Sequence, residues 1–319
     1  MNNSYWIKRA EELEADVYND TLNFERGIMF IYETSIKNVE KEVSLFLNRY
    51  ATEQGITYSE ASKNLTRIEK SEYKQQMKTL TEKYKKTGSP ELLERIKVLE
   101  ARAIRTRLDA LINSLEAEMA IMTEQVRMEM EGHLEGVYEK TYKETGNYLL
   151  MGLGLSAASA IHLAGYKTPN YVTKFPFSGM SFDGRLWKFF DKLKNTVKET
   201  VQKDLVQGKT SKEIYDNLHD KLTDKKGKYV SYDLDRIVQT ESECVHGQGF
   251  IDLCIKYGID KYSIKTARDE RTCRNCGKRD GDTYLVSEAI IGETAPPFHP
   301  NCRCVRVIIS DGVEIELTE

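Results

Sequence analysis

Cys273-Arg274-Asn275-Cys276 and, after 22 intervening residues, His299-Pro300-Asn301-Cys302-Arg303-Cys304 form the most informative stretch of the chain. As a pattern this is C-x2-C-x22-H-x2-C-x-C. A C-x-x-C turn presents two thiolates to one tetrahedral ion, and a second cluster at loop-like distance supplies the remaining donors. Gly277 follows the first pair, where a tight turn needs it, and Pro296, Pro297 and Pro300 stiffen the approach to the second. The segment has little apolar content of its own, so a metal would stand in for the missing core. Four ligands are needed and five candidates exist: Cys273, Cys276, His299, Cys302 and Cys304. In an extended segment Cys302 and Cys304 face opposite sides, which leaves one of them out. The simplest set is Cys273, Cys276, His299 and one of the later two, holding zinc. Such a site has no open coordination position, so the ion is structural rather than catalytic. The competing readings are buried free thiols, or a disulfide formed after release from a cell. The lone Cys244 and Cys254 read as small core residues.

Strand patterns flank this segment. Tyr262 to Ala267 alternates, and Val305-Arg306-Val307-Ile308-Ile309 closes as a second strand, giving a small antiparallel sheet. Everything upstream is helical. Ser4 is placed to cap a first helix carrying Ile7, Leu13, Val17, Ile28, Ile31, Ile36, Val39, Val43 and Leu47 at steps of mostly three and four. Gly55 breaks it, and a second helix is expected from about Tyr58 to Lys86. Gly88-Ser89-Pro90-Glu91 is a restart: a helix stop, a cap, a proline at the first helical position and an acid in the first turn. A third and longest helix follows. In it Ile104, Leu115, Val126 and Val137 recur every eleven residues, as do Leu108, Met119 and Met130, and Leu111 and Met122. Its methionines read as gap-filling core. Gly146, Gly152, Gly154, Gly165, Pro169 and Pro176 then punctuate the chain and place a domain boundary near residue 175. Further helices are expected from Phe182 to Leu205, ended by Gly208, from Thr210 to Leu222 with Thr210 or Ser211 as cap, and from Asp233 to Lys256. The fold class is therefore mainly α: a long-helix region over 1–175, then a small α+β domain over 176–319 with the Cys/His cluster at 273–304.

Length and composition agree. The 319 residues suit about two domains. Lys+Arg number 47 against 50 Asp+Glu, a net charge of −3, which argues against a dedicated nucleic-acid coat. Residues 183–230 carry 12 Lys/Arg against 8 Asp/Glu; this reads as a solvated face, with DNA phosphate contact as the alternative. No secretory signal is visible at Met1-Asn2-Asn3-Ser4, so free thiols or metal ligands are favoured over disulfides. The apolar stretch Leu149–Gly165 is short for a membrane span and rich in small residues. No Walker loop, G-x-S-x-G or H-E-x-x-H is present. An HNH-like nuclease wants a histidine base beside further ligands, and only His299 lies near the cluster. His246, near Glu241 and Glu243, reads as part of a solvated helix face. Arg236, Gln239, Thr240 and Glu241 read as a cap or an internal network that docks the zinc loop.

Several motifs in order resemble the phage head morphogenesis, or minor head protein, family with its Mu F-like domain. They are Phe182-Asp183-Gly184-Arg185-Leu186-Trp187, Gly208-Lys209-Thr210-Ser211-Lys212-Glu213-Ile214, Arg236-Ile237-Val238-Gln239-Thr240-Glu241, Asp269-Glu270-Arg271-Thr272-Cys273-Arg274-Asn275-Cys276 with Asp280-Gly281, and His299-Pro300-Asn301-Cys302-Arg303-Cys304. The resemblance covers about residues 178–309. It implies a component of a tailed-phage or prophage virion, in the capsid interior or at the portal vertex, and in the host cytoplasm during assembly. Such a minor capsid protein associates with the portal protein and takes part in capsid assembly, DNA packaging or DNA delivery, without enzymatic activity. Capsid or scaffolding protein and packaged DNA are further expected partners, and no membrane is. Some relatives carry a toxin or nuclease domain after this part; only ten residues follow Ile309 here. The alternative functions are a zinc-dependent nuclease or toxin, and a DNA-binding virion protein.

Overall fold

The computed structural model describes residues 3–50, 57–102, 104–152, 179–229 and 231–309. Helices dominate: α1 (Asn3–Tyr50), α2 (Tyr58–Ala61), α3 (Arg67–Thr87), α4 (Pro90–Ala101), α5 (Arg107–Gly152), α6 (Phe182–Val206), α7 (Ser211–Leu222) and α8 (Tyr232–Lys256). Then come β1 (Lys261–Lys265), the short α9 (Arg274–Lys278), β2 (Thr283–Leu285) and β3 (Val305–Ile309). The expected class, helical first and then a small sheet with a Cys/His cluster, is what the chain adopts.

The helix ends follow local chemistry. α1 already includes Asn3, so Ser4 lies inside its first turn rather than capping it. The helix expected over 58–86 is two: Thr66 opens α3 with a reciprocal cap, its hydroxyl accepting from Glu69 N at 3.3 Å while Glu69 accepts from Thr66 N at 2.6 Å. The restart at Gly88 is as expected. Gly88 takes φ 66 as the C-cap of α3, and Ser89 accepts from Leu92 N ahead of Pro90. The third helix is also split. Arg102 and residues 104–106 leave the helix, because Leu65 N bonds Arg105 O at 3.1 Å and Arg107 N bonds Lys63 O at 3.0 Å. Thr106 and Asp109 then cap α5 reciprocally, at 2.9 and 3.1 Å. Ile104 thus lies outside the helix, and α1, at 48 residues, exceeds α5 at 46. The rest of the eleven-residue rows is buried: Leu108, Leu111, Leu115, Met119, Met122, Val126, Met130 and Val137. Thr210 caps α7, with Glu213 in the reciprocal role.

The chain forms two compact units. One comprises Met1–Arg26, Glu129–Arg185 and Asp233–Glu319; the other comprises Gly27–Met128 and Leu186–Tyr232. The boundary expected near residue 175, Gly55, and Gly154 to Pro176 lie outside the described residues, as does most of Leu149–Gly165. Among the described residues no helix is long and apolar enough to cross a membrane. In the second unit α3 and α4 pack Met77, Leu80, Leu92, Ile96 and Leu99 with Ala117, Ala120 and Trp187. Arg95 grips Asp191 through two bonds of 2.8 and 2.6 Å and lies over the Trp187 ring. In the first unit the sheet order is β2-β1-β3, antiparallel throughout. β1 is central: Tyr262 faces Tyr284 and Ile308, and Lys265 faces Val305. β2 has no counterpart in the sequence reading. It is three residues long, too short for alternation to register.

Gly88→Ala places a Cβ at a left-handed position with no clash nearby. The backbone cost alone is about 1 kcal/mol. The expected outcome is a lower urea midpoint for the second unit, with protection at Met77 and Leu92 amides read by hydrogen exchange.

Candidate metal centre

Two arms carry the donors. In the first, the Asp269 carboxylate accepts from Arg271 N at 3.1 Å and from the Thr272 hydroxyl at 3.2 Å, which turns the chain into α9. Cys273 is the N-cap of α9, and its sulphur accepts from Cys276 N at 3.4 Å. In the second arm Cys302 N bonds His299 O at 3.2 Å, and Asn301 adopts φ 58. The backbone is therefore turned, not extended, at the start of the C-x-C. This corrects the expectation that Cys302 and Cys304 face opposite sides: both sulphurs lie within 4.8 Å of each other and of Cys276.

Five donors come together in two groups of three, Cys273–Cys276–His299 and Cys276–Cys302–Cys304. Cys276 belongs to both. His299 Nε2 stands 3.0 Å from Cys276 Sγ and 3.3 Å from Cys273 Sγ, and Cys276 Sγ stands 3.8 Å from Cys302 Sγ. Zn–S bonds of about 2.3 Å separate two thiolates on a tetrahedral ion by about 3.8 Å. The donor set thus has the chemistry and spacing to hold a metal. His299 Nδ1 lies 2.8 Å from the Pro300 carbonyl, which only accepts, so Nδ1 carries the hydrogen. That leaves the Nε2 lone pair facing the sulphurs, the tautomer a ligand needs. The thiols divide by environment. The bond from Cys276 N is the main force lowering Cys273. The bond with Cys304 brings Cys302 down to about 5. Burial pushes Cys276 up to about 12, and the bond with Cys302 raises Cys304.

Side chains around the donors hold the arms together. Arg303 grips Asp269 through two bonds of 2.7 and 2.6 Å, tying the second arm to the first. Arg279 donates to Glu293 O at 2.6 Å and covers the Phe298 ring at 4.3 Å. Asp280 accepts from Thr266 N at 2.9 Å and from Arg268 at 2.6 Å, and Gly281 N bonds Ile264 O. Residues 195–307 match the family described as Phage Mu protein F like protein. The chain carries a Mu protein F-like region. All five donors, Asp269, Asp280 and Arg303 fall within it, whereas Phe182–Trp187 lies upstream of the matched residues. Comparison with curated proteins and with solved structures gives no match.

α8 is the floor on which the Mu F-like sheet and loop rest. Its Gly247 permits the approach: a Cβ there would stand 3.0 Å from Pro296 O and 3.1 Å from Arg306 Nη1. Arg306, buried on β3, donates to Pro296 O at 2.7 Å. His246 is not on a solvated face. It is buried, with Nδ1 2.6 Å from Thr141 Oγ1 and Nε2 3.1 Å from Glu14 Oε2. Thr141 spends its hydrogen on Val137 O, so His246 Nδ1 is the donor. Burial pushes the Glu243 carboxyl well above the usual range, and neighbouring Glu14 adds to this. The Arg236–Glu241 stretch does form an internal network, but not toward the loop. Glu241 pairs with Arg185 at 2.5 Å and Gln239 donates to Glu25 at 2.7 Å. Cys244 and Cys254 are core residues, as expected.

A second histidine, His133 of α5, bonds to the same helix α8. His133 Nε2 stands 3.0 Å from Ser242 Oγ, and the imidazole stacks on Phe24 at 4.0 Å. Ser242 donates to Val238 O, so His133 Nε2 is the donor. Burial lowers His133 to about 4. A histidine depressed in the folded state contributes stability that is full above its unfolded value of about 6.5 and falls as pH drops toward 4. Between about pH 7 and pH 4.5 this packing should lose about 2–3 kcal/mol, read by hydrogen exchange at α5 amides, and His133→Gln should flatten that slope.

Proposed function

We propose that the chain is a non-enzymatic minor head protein of a tailed phage or prophage, and that its Mu F-like region is stapled by one structural zinc. In this reading the protein resides in the virion, at the portal vertex or capsid interior. It binds the portal protein and assists capsid assembly, DNA packaging or DNA delivery. The observation that carries it is the family match over residues 195–307, within which the five donors converge. The zinc set is Cys273, Cys276, His299 and Cys302. The three sulphur and imidazole distances of 3.0–3.8 Å link these four in sequence. Cys304 is the spare donor, next to β3. A closed ligand set supports the non-catalytic role.

Metal analysis of purified protein tests the staple. About one zinc per chain is expected, lost in Cys276→Ser and retained in Cys304→Ser. Freely titratable thiols with no metal would sink it. Co-expression with the portal protein of the same phage tests the assembly role. The expected result is co-sedimentation with portal rings. Metal-dependent DNA cleavage would support a nuclease instead, and steep salt-dependent DNA binding without portal binding would support the DNA-binding alternative.

A further inference from the structure

Cys276 and Cys302 come from different arms, are both buried, and hold their sulphurs 3.8 Å apart. Cys276 is also the donor common to both groups. A bond between these two sulphurs would therefore join the same two segments that a metal joins. Cys273, in contrast, shares its arm and its short helix with Cys276, so a Cys273–Cys276 bond would leave the arms unlinked. We propose that Cys276 and Cys302 are a redox pair that exchanges the metal staple for a disulfide when the protein meets a peroxide oxidant. The inference rests on the zinc reading for what is released, not for which sulphurs join.

The chemistry balances with hydrogen peroxide as the oxidant. One thiolate sulphur attacks a peroxide oxygen; the O–O bond breaks, a proton is taken up and water leaves, giving a sulfenic acid. The second thiolate attacks that sulphur, the S–O bond breaks, the S–S bond forms, and hydroxide leaves as water after taking a second proton. Two thiolates, one peroxide and two protons become one disulfide and two waters. The sulphurs must close from 3.8 Å to the bonded length of about 2.05 Å, a movement within reach of side-chain rotation. The ion loses two of its four proposed donors and departs. The arms stay joined, with Asp269–Arg303 still spanning them.

The test uses the full chain as purified, treated with hydrogen peroxide. Released zinc is read with a colorimetric chelator, crosslinks by mass spectrometry of unreduced peptides, and the sheet by hydrogen exchange. The expected result is release of the bound zinc, a Cys276–Cys302 crosslink with the loss of two hydrogens, and continued protection of β1 and β3 amides. Cys304→Ser, which leaves the proposed ligands intact, should form the same crosslink. A Cys273–Cys276 crosslink, sulfinic acids without a crosslink, or zinc release with exposed β1 and β3 amides would overturn the proposal. Protein that carries no zinc at purification defeats the zinc reading alone, because the peptide map of that same protein still decides which sulphurs pair.

Discussion

Closing the segment between β1 and β3 is the constraint on which the Mu F-like region depends. Lys265 faces Val305 across 39 intervening residues, and those residues hold only one five-residue helix, one three-residue strand and a short turn. Closing a flexible loop of that length costs about 3 kcal/mol beyond a constant term. A five-residue edge ladder has little surplus to set against it once its own ordering is counted. A joint inside the loop removes most of the penalty by fixing the two arms to each other. The sulphur and imidazole donors stand where such a joint is needed, and Arg303–Asp269 marks the same seam with charge.

The packing beneath the loop follows from that seam. The loop packs Val286, Ile291 and Ala295 into the core beside Cys276 and Cys302, and over Gly247 of α8 Ile291 and the Pro296 carbonyl approach closely, with Arg306 bonding that carbonyl. Arg306 brings a buried charge with it. Glu14, Glu243 and His246 gather around that charge, and a buried cation needs such company. The hydroxyls of Thr141 and Ser242 are spent on carbonyls of their own helices, so they offer only lone pairs to His246 and His133. Each ring thereby donates at the nitrogen that faces the hydroxyl, Nδ1 of His246 and Nε2 of His133.

Much of this was legible from sequence where one local rule decides the outcome. Gly88-Ser89-Pro90, Thr210 with Glu213, and the eleven-residue rows of α5 each declare themselves within a few residues. That these five side chains come together was legible because thiols and imidazole at C-x2-C and H-x2-C-x-C spacing belong to two short arms of one loop. What failed was decided by contacts distant in sequence. Helix α5 starts at Arg107 because Arg105 and Arg107 bond to Leu65 and Lys63, which periodicity does not register. Cys302 and Cys304 come together because Asn301 turns left-handed, against the extended pattern of the flanking strand. His246 is buried because α1 and α5 cover it, whereas its nearest sequence neighbours are acids.

The described histidines share one pattern, in which each ring bonds a group on a different segment of the chain. Among the described residues, His133 is committed to Ser242, His219 to Glu40 at 2.9 Å, and His246 to Thr141 and Glu14. His299 has one nitrogen on Pro300 and the other on the sulphurs. Each of these rings joins segments that are distant in sequence. Each buried polar contact of this kind raises the cost of sliding one element past the next.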